Sequence, residues 1–368
     1  MTTEPAPAPD VKAPEDEGER PREANALQAW FARHPLGAYA VRRVVLYLVQ
    51  LWGAVTVTFF FFRLIPGDPI QTLIQTLEQN YVYNTEASGA VIEHYRQEFG
   101  LDGNVFSQYL HYIYKVLVEH DMGPSLLNYP TPAQDVIFRA LPWTLGLLGI
   151  AAVLAWAIGL VIGAFAGWRR GKAGADLLTN LSIVLAHVPF YFLALILVFV
   201  FANQLGWFPA RSAYDSKLDP GLNLDFVGSV LWSGTLPALS IVIIGIFGWL
   251  LSTRMLMVPV LGEDYLTYAQ AKGLKPRRIL TRYALRNCYL PQITAFGIQL
   301  GFIFNGNVLV EQLFNYPGLG GTLVQAIRIL DFNTILGITN LAIFGVLTAN
   351  LLLDLLLPVL DPRVKYWR

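Results

Sequence analysis

Charge is what this chain has least of. Only 14% of its 368 residues are Asp, Glu, Lys or Arg, whereas 54% are hydrophobic and the mean hydropathy is +0.46. Such a balance excludes an ordinary soluble domain and points to a polytopic membrane protein. The 26 basic and 26 acidic residues cancel, so the total charge identifies no polyanionic partner and no nucleic acid is expected. Cysteine is nearly absent too. Cys288 alone excludes an intrachain disulfide and a cysteine-based metal cluster, and it reads as a small apolar residue.

Catalytic signatures are also missing. There is no G-x-S-x-G for a hydrolytic serine and no H-E-x-x-H for a metalloprotease. A phosphate-binding loop fails at both ends, because Ala173 follows Gly171-Lys172 and Ala166 occupies the place of the upstream glycine. His94, His111 and His120 lack metal-ligand spacing, and His187, alone within an apolar run, is expected simply to be hydrogen-bonded. If ATP is used, another chain supplies its site. The start of the chain has no positively charged region of the kind a secretory signal needs. Residues 1–36 instead carry five prolines among acidic residues, from Pro5 to Pro21, and are expected to form a disordered cytoplasmic tail.

What the chain has in abundance is apolar length. A hydrocarbon core about 30 Å thick needs about 20 apolar residues in a helix. Six runs qualify: 44–64, 141–167, 181–205, 236–251, 290–310 and 335–360. The fourth is the shortest and runs into Arg254. Basic residues gather on one side of this topology: Arg42 and Arg43, Arg169 to Lys172, the cluster from Lys272 to Arg286, and Arg363 to Arg368. The positive-inside rule then puts both termini in the cytoplasm of a multi-pass cell (inner) membrane protein.

The segment at 65–140 falls outside, and its acidic residues outnumber its basic ones; 91–99 and 105–117 have helical apolar spacing, which predicts a small helical cap. The next external loop, 206–234, is rich in Gly, Pro, Asp and Ser and reads as irregular. The third contains Asn315-Tyr-Pro-Gly-Leu-Gly-Gly321, which fits a tight, re-entrant turn.

Within the runs, Gly159, Gly163 and Gly167, and again Gly297 and Gly301, form smooth stripes for close helix packing. The fifth run carries Gln292, Gln299, Asn305 and Asn307, and the sixth Asn340, Asn350 and Asp354. Lipid penalises these groups, so they are expected to face protein or water, either bonding between helices or lining a pathway; Gln299, Asn305 and Asn307 are the pathway candidates. Asp354 has no second titratable group in these runs to relay a proton. Arg63, at the end of the first run, reads as a snorkelling cation paired with Asp68.

One segment stands apart. In 264–278, Tyr265, Tyr268, Ala269 and Lys272 fall at i, i+3, i+4 and i+7, which predicts a shared helical face, and Ala269, Ala271 and Gly273 keep the backbone approachable. This pattern suits docking. It resembles the cytoplasmic coupling motif of binding-protein-dependent ABC importer permeases. Thr267 and Tyr268 replace the Glu-Ala of the general motif, as in the dipeptide/oligopeptide/nickel branch, where Asp264-Tyr265, Ala269-x-Ala271-Lys272-Gly273-Leu274 and Arg282-x-x-Leu285-Arg286-Asn287 have counterparts. Arg63-Leu-Ile-Pro-Gly-Asp-Pro69, Trp207-Phe-Pro-Ala-Arg211, Phe314-Asn-Tyr-Pro-Gly-Leu-Gly320 and Leu360-Asp-Pro-Arg363 are similar to the same branch.

The resemblance implies an all-α permease of the type I ABC importer fold, with six transmembrane helices over 37–368 and a coupling region at 252–289. It implies a second homologous permease, two ATPase subunits that carry ATP and Mg, an extracytoplasmic substrate-binding protein and surrounding membrane lipid as partners, with no cofactor on this chain. In that scheme Tyr265, Tyr268, Ala269, Ala271, Lys272 and Gly273 contact an ATPase. Peptides are the expected cargo and oligosaccharides the alternative, since the chain is 13% aromatic. A membrane-embedded enzyme would need facing catalytic groups that the sequence lacks, and a self-sufficient secondary transporter often shows an internal repeat, which is absent here.

Overall fold

A computed structural model describes residues 35–64 and 89–360. The tail before residue 35, Asp68 and the rest of 65–88, and the basic C-terminus lie outside the described residues. Those described are mostly helical, with irregular segments at 120–132 and 205–223, and contain thirteen α-helices. They are α1 (Pro35–Arg63), α2 (Gly89–Glu98), α3 (Val105–Tyr114), α4 (Ala133–Trp168), α5 (Ala173–Leu185), α6 (Phe190–Leu197), α7 (Leu224–Val260), α8 (Asp264–Ala271), α9 (Pro276–Ile279), α10 (Leu285–Phe302), α11 (Val308–Leu313), α12 (Leu319–Arg328) and α13 (Phe332–Leu360).

Four of them, α1, α4, α7 and α13, are long and apolar enough to cross a membrane. The third run does not form one straight helix. It is divided between α5 and α6, whose helical course continues to Gln204, and the two halves meet at 94° across a short break. Pro189 explains the break, since a proline disfavours helical geometry in the residue before it and offers no N–H. Counted as one segment, this pair gives a fifth candidate span. The fifth sequence run stops at Phe302 rather than 310, because the chain tightens over Ile303–Asn305 and then turns through Gly306 at φ 71°. α10 nonetheless packs inside the bundle against α13, α7 and α4, compatible with six spans.

The fourth run is far longer than expected. α7 has 37 residues and begins within the loop read as irregular, because Asn223 caps it by accepting the Phe226 N–H at 2.7 Å and Asp225 lies in its positively polarised first turn. The helices expected at 91–99 and 105–117 are present as α2 and α3.

The centre of the bundle is the α4–α7 pair. Both glycine stripes are packing seams. A Cβ at Gly159 would fall 2.5 Å from that of Trp249, one at Gly163 2.5 Å from the Leu250 carbonyl oxygen, and one at Gly167 2.8 Å from the Cβ of Met257. Only a hydrogen in place of a side chain lets the two backbones meet there. Gly297 and Gly301 seat α10 on α13 in the same way, against Leu353 and Ala349. Trp156 stacks on Phe296 with ring centroids 4.7 Å apart, tying α4 to α10. α1 is the most peripheral long helix, and it meets α13 along a polar stripe in which Tyr47 bonds Thr348 at 3.1 Å and Arg43 pairs with Asp354 at 3.0 Å.

Candidate functional site: a short helix seated at the end of the bundle

α8 follows α7 after a tight turn and begins with Asp264 in its first turn. Its end is a complete Schellman motif. The Gly273 N–H bonds to the Gln270 carbonyl at 2.8 Å and the Leu274 N–H to that of Ala269 at 3.3 Å, with Gly273 left-handed at φ 71°. Glycine takes that conformation without the steric cost other residues meet. Leu274 then packs back on the same apolar cluster as Ala269, and Pro276 opens α9 in the position where its missing N–H costs nothing.

The burial pattern divides the face expected from sequence. Leu266 and Ala269 are buried at 2% and 4% exposure, packed with Met257, Ile279, Ala284 and Cys288. Tyr265 turns inward with them, and its hydroxyl accepts a hydrogen bond from the Asn287 side chain. Tyr268 is 70% exposed, and Thr267, Ala271, Lys272 and Gly273 are exposed beside it. The four positions are helical neighbours, but the edge of the seat runs between the Tyr265–Ala269 row and the Tyr268–Lys272 row. Leu266 was the signal for this, because an apolar pair at i and i+3 marks the buried side. The small size of Ala269 therefore serves the chain's own core. At Gly273 an added Cβ would meet nothing within 4 Å, so the glycine is required by its backbone angle.

Basic residues brace the same end of the bundle. Arg254 on α7 pairs with Asp176 on α5 at 3.1 Å, and the Arg170 guanidinium donates to the Val258 carbonyl at 3.1 Å. Of the pathway candidates, Asn305 is exposed and lines a cavity, Gln299 is half-buried on α10, and Asn307 accepts the Val310 N–H at 3.3 Å, capping α11. Gln292, also in the polar load, is buried and donates to Ser252 at 3.0 Å.

Sequence reasoning missed two buried acids. Glu311, 1% exposed, accepts hydrogen bonds from the Thr144 hydroxyl at 3.0 Å and from the N–H groups of Gly321 at 2.8 Å and Asn307 at 3.2 Å. Gly318 and Gly320 crowd its carboxyl group so closely that a Cβ at either would overlap it or press on it. The glycine-rich turn at 315–321 is thus wrapped around an acid. Nearby Tyr316 is pushed up to about 12, mainly by burial and further by the Glu311 charge. Asp331, fully buried, accepts from the Ser125 hydroxyl at 2.6 Å and the Leu126 N–H at 2.9 Å, and from the Thr334 N–H at 3.1 Å. It caps α13 and fastens the loop before α4 to it. Among the described residues no His, Cys, Asp and Glu group is placed to hold a metal.

The described residues form a closely packed helical bundle with spans long and apolar enough to cross a membrane, and a small capped helix is seated at one end with one face bare. The sequence matches the family model of the binding-protein-dependent transport system inner membrane component over residues 159–366, and the N-terminal model of the same transport systems over 37–147. The chain belongs to this family, and it is a permease subunit rather than an enzyme. It is 30% identical over 332 residues to the oligopeptide transport system permease protein AppB of Bacillus subtilis (strain 168), covering 90% of this chain and 100% of that one. It is 31% identical over 331 residues to the glutathione transport system permease protein GsiC of Pectobacterium atrosepticum, and 30% identical over 328 residues to GsiC of Escherichia coli (strain K12), each match covering 89% of this chain and 99% of the relative.

Proposed function

We propose that this permease passes peptides across the inner membrane as one half of a pathway shared with a second homologous permease. Two ATPase subunits, holding ATP and Mg, drive it, and an extracytoplasmic binding protein delivers the cargo. The names of its relatives support the cargo class, since oligopeptides and glutathione share the peptide bond. Both termini and the coupling region at 252–289 lie on the cytoplasmic side in this reading, which the clustering of arginine and lysine there supports.

The observation that carries the proposal is the divided surface of α8. Its inner row is fixed in the bundle, so the outer row of Thr267, Tyr268, Ala271 and Lys272 is presented to a partner without freedom to slip. Tyr268 is the anchor, an aromatic side chain with a polar tip at the centre of the bare face. Lys272 meets acidic partner surface. Tyr265, Ala269 and Gly273 act by holding the helix in place. Gln299, Asn305 and Asn307 line the pathway, with Asn307 also capping α11.

The test is reconstitution of the complete transporter in proteoliposomes with a mixture of short peptides. Peptide-dependent ATP hydrolysis and uptake are expected, and Tyr268→Asp is expected to uncouple the two while the complex still inserts. Uptake by this chain alone, without ATPase subunits, would overturn the assignment.

A further inference from the structure

Two cavities lie end to end between α1, α10 and α13, sharing Gln50 and Leu347 as common wall. The first contains the Arg43–Asp354 ion pair and, further along, Thr294, Gln50 and Asn350. The second is walled by Gly53, Ala54, Phe302, Ile343 and Val346, with Asn305 at its far end. The groove is thus charged at one end, carries neutral amides in the middle and is apolar beyond. Between positions 43 and 54 of α1 it advances about 16 Å, at about 1.5 Å per residue. One leaflet of a hydrocarbon core about 30 Å thick has nearly that depth.

Among the described residues, the charged end is not closed by protein. Arg43 uses Nη1 on Asp354 at 3.0 Å and Nε on the Tyr39 hydroxyl at 3.2 Å, yet the Arg43 and Asp354 side chains remain 39% and 31% exposed. Arg43 immediately precedes the apolar run that starts at Val44, which sets the pair at the membrane boundary. Arg43 and Asp354 neutralise each other, and the exposed parts of both side chains leave room for a polar ligand at the boundary.

We infer that this groove binds one phospholipid with a zwitterionic headgroup that ends in a primary amine. Its phosphate meets Arg43 and its ammonium meets Asp354. The side-chain amides of Gln50 and Asn350 donate to the ester carbonyls, and an acyl chain lies along Leu347 and Ala54 and ends short of Asn305, which stays with the pathway. A lipid offers head, ester and chain in the order in which the groove offers charge, amide and hydrocarbon. An anionic headgroup would satisfy Arg43 but leave Asp354 facing like charge, and a quaternary ammonium has no N–H to donate to the carboxylate. A helix from a partner chain would have to supply a complementary ion pair at the rim and an apolar stripe below it, which a single amphiphile does in one molecule.

The experiment uses the complete transporter in nanodiscs containing equal parts of phosphatidylethanolamine, phosphatidylglycerol and phosphatidylcholine, followed by native mass spectrometry of the lipid retained after transfer to detergent. The wild-type complex is expected to retain one phosphatidylethanolamine per copy of this chain, preferred over the other two by about tenfold, a difference of about 1.4 kcal/mol. Asp354→Asn is expected to abolish the preference for the primary amine, and Arg43→Gln to lower retention of all three lipids. Leu347→Trp fills the junction of the two cavities without touching the ion pair and is expected to remove the bound lipid, while size-exclusion chromatography shows the complex still assembled. Equal retention of the three lipids by the wild type, or retention unchanged by Leu347→Trp, overturns the inference. So does dissociation of the two permeases by these variants with bound lipid unaltered, which would assign the groove to the second permease.

Discussion

The backbone N–H of Leu274 closes on the carbonyl of Ala269 at 3.3 Å, and this one bond joins the end of α8 to the apolar cluster beneath it. Gly273 makes the closure possible by standing at φ 71°. Gly273→Ala is expected to strain the turn by about 1 kcal/mol, with no steric clash, and Gly273→Asn by less, because asparagine tolerates the left-handed region. Peptide-stimulated ATPase activity of the reconstituted complex should therefore fall in the order glycine, asparagine, alanine, with equal amounts of each variant in the membrane. An order that followed side-chain volume instead would show that the space around Gly273, and not its backbone angle, is what matters.

The α4–α7 seam gives a contrast between glycines. Gly163→Ala puts a methyl group 2.5 Å from the Leu250 carbonyl oxygen, where only backbone movement relieves the contact, and a loss of about 1–3 kcal/mol is expected. Gly146→Ala and Gly248→Ala meet nothing within 4 Å and are expected to be neutral or slightly stabilising in their helices. Thermal unfolding in detergent, read as loss of a monodisperse elution peak, separates the two groups.

Glu311→Gln changes the acid by one atom. The new amide has one acceptor oxygen for a site in which both carboxyl oxygens receive hydrogen bonds, so an N–H donor is left facing an NH2 group. Destabilisation of about 1–3 kcal/mol is expected. Hydrogen exchange at Asn307 and Gly321 reports it directly, and unchanged protection at both would refute the role given to the acid.

Asp331→Ala removes a helix cap and a loop anchor together. Faster exchange is expected in two separated stretches, at Ser125–Leu127 and at the first turn of α13, because one carboxylate serves both. Asp331→Asn is expected to protect the first turn of α13 better than the loop, since an amide oxygen still caps it.

Tyr316 gives a prediction in pH. Its hydroxyl is pushed up to about 12 by burial and then by Glu311, against about 10 in an unfolded chain. The folded state therefore favours the neutral phenol. That stability is complete below pH 10 and is lost as pH rises towards about 12. Tyr316→Phe is expected to remove this alkaline loss while leaving the rest of the profile in place, as followed by thermal unfolding from pH 8 to 12.

Much of this molecule could be read before its structure. The apolar runs and both glycine stripes came from composition and spacing, because a bilayer punishes exceptions and leaves a strong pattern; α2 and α3 came from helical apolar spacing, and the family from the resemblance of its motifs. The Tyr265–Lys272 face was harder, since helical spacing identifies neighbours but does not locate the boundary of burial; Leu266 was needed for that. The break between α5 and α6 was signalled by Pro189 and obscured by the hydrophobicity on both sides of it. Glu311 and Asp331 were beyond reach. Each looks like an ordinary loop acid, and its partners, Thr144 and Ser125, are more than 160 positions distant in sequence. The Arg63 guanidinium donates to the Gly100 carbonyl at 3.4 Å and lies over Phe59, and Asp68, its expected partner, is outside the described residues.

The three glycines of α4 also set a mechanical property. Side chains between two helices act as a compliant layer, able to change rotamer and absorb displacement; along Gly159, Gly163 and Gly167 that layer is absent, and backbone bears on Trp249, Leu250 and Met257. α7, with 37 residues, is a strut of about 55 Å at about 1.5 Å per residue. Sliding of α4 along α7 is therefore opposed by close contact at three successive turns, with no layer of side chains to absorb it.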